Sequence, residues 1–128
     1  MPAKVVDASV LAAVAFQEPR FDEAVTLLEG MELHAPTLLA YELTSVARKK
    51  ALLYPSLVRA LAANLEDALS TDVQWAGVDH GEVLALALAT GLSTYDASYL
   101  YLALTLNVPI VTFDQGLQRA SDQINGRT

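Results

Sequence analysis

Four acidic residues stand where carboxylates can act together: Asp7, Glu42, Asp96 and Asp114. Asp7 closes the β-rich run KVVD and Asp114 closes PIVTFD, and each opens a helix-forming stretch. In an open parallel sheet ligands bind outside the carboxyl ends of the strands, so acidic residues at strand ends occupy the edge where chemistry gathers. Asp is also a preferred helix N-cap, a purely structural role open to Asp7, Asp96 and Asp114 taken singly. Glu42 does not fit that role. In a helix beginning at Thr37 its i−4 and i+4 neighbours are Leu38 and Val46, which puts it on an otherwise apolar face. A carboxylate there must reach solvent, find a partner, take a proton or bind a metal, because burying it ionised and alone is costly.

None of the four has a Lys or Arg beside it in sequence. Carboxylates that converge without cations repel one another, and a divalent ion is the usual physical resolution. Oxygen donors favour Mg²⁺ or Mn²⁺. Zinc is disfavoured, because the chain has no Cys and its two His, His34 and His80, do not form a zinc spacing. His34 reads as a strand-end residue before Pro36 and His80 as a first-turn helix residue. Asp79, with Glu82 three residues later, reads as a helix cap.

Strands and helices in alternation must position these groups. β-Rich runs are expected at Lys4–Asp7, Glu32–Ala35, Val73–Val78 and Pro109–Phe113. Leu57, Leu61, Leu65 and Leu69 recur at i, i+4 after Pro55, which predicts a helix over Pro55–Ser70. Further helices are expected over Ala8–Gln17, Arg20–Glu29, Thr37–Leu52, His80–Thr90, Ala97–Leu106 and Gln115–Ser121, with Gly30 and Gly91 as C-caps. The alternation of Leu84, Leu86 and Leu88 with Ala imitates a strand, but Leu and Ala are strong helix formers, so a buried helix is expected there. The order βααβααβααβα implies an α/β fold with a parallel sheet covered by helices on both faces, built as a single domain over residues 1–128.

Charge and composition narrow the function classes. The chain carries 8 Lys plus Arg against 15 Asp plus Glu, a net charge of −7, which opposes nucleic-acid binding through charge alone. Arg48, Lys49 and Lys50 form the one concentrated basic patch, readable as a cationic last helical turn or as a phosphate guide. Tyr41, Tyr95, Tyr99 and Tyr101 can pack in the core or stack an exposed base. Apolar runs reach seven residues, far short of the roughly 20 that a membrane-spanning helix needs. The N-terminal residues lack a signal-like apolar region, and with no Cys the expected location is cytoplasmic.

Taken in order, VVDASVL, LLAYELTSVARK, LSTYDASYLYLAL and VPIVTFDQGL resemble the four blocks of the PIN-domain ribonucleases, and among them the VapC-type toxins. The resemblance implies a PIN-like three-layer sandwich with central strand order 3-2-1-4 and an acidic pocket at the carboxyl edge of the sheet. It implies Asp7, Glu42, Asp96 and Asp114 as catalytic residues, with Ser9 and Thr112 as supporting hydroxyls. Mg²⁺ or Mn²⁺ would be held by Asp7, Asp96 and Asp114. The implied reaction is hydrolysis of RNA phosphodiester bonds, leaving a 5′-phosphate and a 3′-hydroxyl. Arg48, Lys49 and Lys50 become RNA-contact candidates, and a cognate antitoxin and a homodimer are the implied partners. Ser45 departs from the family, standing where many members carry an amide residue, and the terminal SDQINGRT is too polar for the fifth strand often found at the sheet edge.

Two other classes share the expected sheet. A receiver-like signalling domain would accept phosphate on a strand-end Asp, but it wants an acidic pair near the first strand and a late strand-end Lys, and neither is present. A binding module of the same fold without turnover is separated from a nuclease by a cleavage assay.

Overall fold

A computed structural model describes residues 2–126. Four strands, β1 (Ala3–Val6), β2 (Glu32–Pro36), β3 (Val73–Ala76) and β4 (Ile110–Val111), form one sheet among the described residues, in the order β3-β2-β1-β4. Every pairing is parallel, with Lys4 opposite Leu33, Val5 opposite Ile110 and Ala35 opposite Trp75. Parallel strands need long crossovers, which six helices supply among the described residues: α1 (Ala8–Ala15), α2 (Phe21–Leu28), α3 (Leu38–Leu53), α4 (Val58–Leu69), α5 (His80–Thr90) and α6 (Thr94–Leu106); α7 (Gln115–Ile124) follows β4. The steps from β1 to β2 and from β2 to β3 run one way across the sheet, and the step from β3 to β4 runs back. Right-handed crossovers therefore place α1–α4 on one face and α5 and α6 on the other. The core between these layers holds Val5, Val6, Leu39, Leu43, Leu100 and Leu117, all fully buried.

Several boundaries differ from expectation for identifiable reasons. The β4 ladder stops at Val111 because the amides two and three residues on, of Phe113 and Asp114, donate to side-chain hydroxyls. The expected helix over Pro55–Ser70 begins as a 3₁₀ turn, Pro55–Leu57, before α4. Helix α5 is helical but not buried all round: Val83 and Ala87 pack against Ala97 of α6, whereas Leu84 and Leu88 are 53% and 78% exposed. Those leucines lie about 100° round the helix from the buried pair. Asp79 caps α5 by accepting from the Glu82 amide, and Gly91 closes it with φ 77°, a left-handed conformation that favours glycine. Helix α7 runs on through Ser121–Ile124, and Arg127 and Thr128 of the polar tail lie outside the described residues.

Candidate active site

The carboxyl edge of the sheet collects the groups singled out from sequence. Asp7 follows β1, caps α1 through the Val10 amide at 3.3 Å, and is only 6% exposed. The Ser9 hydroxyl donates to Asp7 Oδ1 at 2.7 Å and the Thr112 hydroxyl to Oδ2 at 2.6 Å. Each hydroxyl in turn accepts a backbone N–H, Ser9 from Phe113 and Thr112 from Asp114, both at 2.9 Å. Because an amide can only donate, it leaves each hydroxyl proton free to point at Asp7, and the pair fixes both carboxylate oxygens as acceptors. This network also fastens the end of β4 to the start of α1.

Burial raises the pKa of Asp7 above its ordinary value, a push opposed by the Ser9 and Thr112 hydroxyls and the amides of Val10 and Ser9. Glu42, half-buried on α3, is also shifted upward, first by burial and then by the charges of Asp96 and Asp7, against a lowering bond from Tyr99. Asp96 is raised by burial and by the charges of Asp114 and Asp7. The charge of Asp7 thus reaches both Glu42 and Asp96, and that of Asp114 reaches Asp96, across the edge. Among the described residues none of them is in an ion pair with Lys, Arg or His.

One of the expected local roles changes and another holds. Asp96 does not cap α6: Ser93 does, accepting from the Asp96 amide at 3.1 Å, so the helix starts at Thr94 and Asp96 occupies its third position. The Ser93–Asp96 spacing is itself a capping signal, S-x-x-D. Asp114 keeps its structural role, capping α7 by accepting from Gly116 at 2.8 Å and Leu117 at 3.3 Å, and its side chain is exposed at the edge.

The basic patch is not gathered to this edge. Arg48, Lys49 and Lys50 lie six to eight residues beyond Glu42, about 9–12 Å along α3. Lys50 pairs with Glu18 at 2.8 Å, and Arg48 lines the groove between α3 and α4. Two cations lie nearer this edge: the Arg20 guanidinium stacks 3.6 Å from the Phe113 ring, and a Cβ built on Gly116 would lie 3.3 Å from Asp114 Oδ1 and 4.0 Å from Arg119 Nη2. Tyr99 packs in the core, one of its two expected roles, but its bond to Glu42 was not foreseen. It is 1% exposed, and its phenol donates to Glu42 Oε1 at 2.5 Å, tying α6 to α3; burial and Glu42 together push its own pKa up. Its position one turn after Asp96 on a shared helix face was the available signal.

In charge and donor type this set fits a hard divalent cation: oxygen ligands, raised pKa values at Asp7, Glu42 and Asp96, and no paired counter-charge among the described residues. Among the described residues, however, no three acidic or imidazole groups already form a cluster able to hold a metal ion.

With this geometry in place, the family model for the PIN domain matches residues 4–123. The chain belongs to the PIN-domain family. Ribonuclease VapC3 of Pyrobaculum aerophilum is 35% identical over 120 residues, covering 88% of this chain and 90% of that protein. The crystal structure of PAE2754 from the same organism superposes with a TM-score of 0.77 at 27% identity, covering 98% of this chain and 94% of the other. VapBC2 from Rickettsia felis, solved bound to a DNA fragment from its promoter, matches at TM-score 0.64 and 15% identity over 92% of each chain, a likeness of fold. The PIN chain described here keeps the expected strand order 3-2-1-4, and no described helix is long and apolar enough to cross a membrane.

Proposed function

We propose that this PIN-domain chain is a Mg²⁺- or Mn²⁺-dependent endoribonuclease that hydrolyses RNA phosphodiester bonds, acting in the cytoplasm as the toxin of a type II toxin–antitoxin pair. The observation that carries the reading is the buried Asp7, held by two hydroxyls at an edge where its charge bears on Glu42 and Asp96, and that of Asp114 on Asp96, with no paired cation among the described residues. Asp7, Asp96 and Asp114 would hold the ion, which when bound supplies water activation and stabilises charge on the scissile phosphate. Ser9 and Thr112 keep Asp7 in one orientation and favour its ionised form. Tyr99 holds the Glu42 carboxyl over the same edge, where it orients the attacking water.

An antitoxin would offer an apolar helix to exposed side chains such as Leu52, Leu53 and Val58 around the α3–α4 corner, 65%, 73% and 54% exposed, and an Arg to the quartet. A homodimer would cover the exposed Leu84 and Leu88 of α5. The test is cleavage of a panel of structured RNAs in Mg²⁺ and in chelator. Asp7→Asn, Glu42→Gln and Asp96→Asn each lose most cleavage while remaining folded, and Asp114→Asn loses less. Unchanged cleavage by the Asp7→Asn protein overturns the assignment.

A further inference from the structure

Beside the acidic cluster, along the same carboxyl edge, the ends of β2 and β3 and the first turns of α3, α5 and α6 enclose a cavity of about 530 Å³. Tyr41 and Tyr95 flank it, 74% and 61% exposed, with Leu38, Val83 and Gly77 adding further wall. Four of the chain's five tyrosines divide here. Tyr99 and Tyr101 spend their hydroxyls on Glu42 and Glu82, while among the described residues neither Tyr41 nor Tyr95 makes a hydrogen bond. Tyr41 directly precedes Glu42 and Tyr95 directly precedes Asp96, so cavity and acidic cluster share the first turns of α3 and α6. Across the sheet the cavity lies over β2 and β3 and the Asp7–Thr112 pair over β1 and β4, two strand spacings or about 10 Å apart.

We propose, building on the ribonuclease reading, that this cavity receives an unpaired nucleobase of the RNA whose backbone runs past Asp7. The lining decides the occupant. No Lys or Arg borders the cavity, and the neighbouring edge carries uncompensated carboxylates, so a phosphate is repelled where a neutral ring is not. In a chain of net charge −7, stacking supplies affinity that phosphate neutralisation does not. The size falls within the range of small-ligand sites. The base must be unpaired, since bases within an RNA helix are already stacked and their edges lie in a groove that side chains read poorly. Tyr41 and Tyr95, both largely exposed, offer ring faces on which a base can stack, and Thr37, His80, Thr94 and Ser98 add polar wall.

The test is equilibrium binding to the full chain in chelator, where no cleavage occurs, of a fluorescein-labelled oligoadenylate and of an abasic oligomer of the same length and charge. The wild type binds the oligoadenylate about tenfold more tightly than the abasic strand. Tyr41→Ala and Tyr95→Ala each abolish most of that preference, and Tyr41→Phe and Tyr95→Phe keep it. Both side chains are exposed, so the variants fold, which a thermal scan verifies. Equal binding of the two strands by the wild type, or an undiminished preference in the alanine variants, overturns the proposal. So does a change in sedimentation of the alanine variants with the base preference intact, which would assign the cavity to a contact between two copies. Asp7-dependent cleavage without any base preference leaves the ribonuclease standing and removes the cavity. A tyrosine-dependent base preference without cleavage does the reverse.

Discussion

Replacing Thr112 by Val preserves shape and β-branching while deleting one hydroxyl, which donates to Asp7 Oδ2 at 2.6 Å and accepts from the Asp114 amide at 2.9 Å. A hydrogen bond to a charged group contributes roughly 1.5–3 kcal/mol and one between neutral groups roughly 0.5–1.5 kcal/mol. Asp7 is 6% exposed, so water does not replace the lost donor, and the variant is expected to be less stable by about 2 kcal/mol at neutral pH. With an unfolding entropy of roughly 2.1 cal/mol/K per residue, a chain of this length has about 0.27 kcal/mol/K, so Tm falls by about 7 °C. The loss depends on pH in a defined direction. The Thr112 bond pulls the pKa of Asp7 down against burial, so its extra worth belongs to the ionised carboxylate and disappears once Asp7 is protonated. Below the ordinary value of 3.8 the bond is neutral in kind, and the gap between wild type and variant narrows to about 1 kcal/mol, or about 4 °C. Thermal scans of both proteins in chelator at pH 7 and pH 3 measure both gaps. Equal Tm values at pH 7, or a gap that does not narrow at pH 3, would refute the reasoning.

Asp7, Glu42 and Asp96 all have folded pKa values above their ordinary ones, so the folded state holds their protons more tightly than the unfolded chain. Their contribution to stability is complete below the ordinary range of 3.8–4.5 and is lost as pH rises through the raised values; metal-free Tm should fall across that window in the wild type and fall less in Asp96→Asn. In chelator at pH 7 Asp96→Asn should melt higher than the wild type, because one of the mutually repelling charges is gone; a lower Tm would contradict this. Mg²⁺ or Mn²⁺ at about 100 times its dissociation constant should stabilise the wild type by roughly 2.7 kcal/mol, and an unchanged Tm would remove the metal site. Tyr99→Phe deletes the one hydrogen bond that lowers the pKa of Glu42, so the acidic limb of the cleavage profile should move to higher pH, and an unmoved limb would show that Glu42 does not titrate in the reaction.

Most of the architecture was legible in the sequence because its signals are local. Period-2 and period-3.6 apolar patterns marked the alternation, and Asp79 before Glu82 and Gly91 after Thr90 marked the ends of α5, since caps act within one turn of the chain. The placing of two acidic groups at one edge was legible for a different reason: Asp7 directly follows β1 and Asp114 comes three residues after β4, neighbouring strands of a parallel sheet. Tertiary structure decided what depends on distant partners. Nothing local could show that the Thr112 hydroxyl bonds Asp7 across 105 positions, or that Tyr99, one of four candidate tyrosines, is the one bonded to Glu42 while Tyr41 and Tyr95 stand open on a cavity. The run Arg48-Lys49-Lys50 looked like a single patch because its charges are contiguous. In the fold one charge is taken by Glu18, 32 positions earlier, and the helix axis carries all three away from the edge. Periodicity specifies which face of an element is buried, but which side chain meets which is set only when the crossovers close the layers over the sheet.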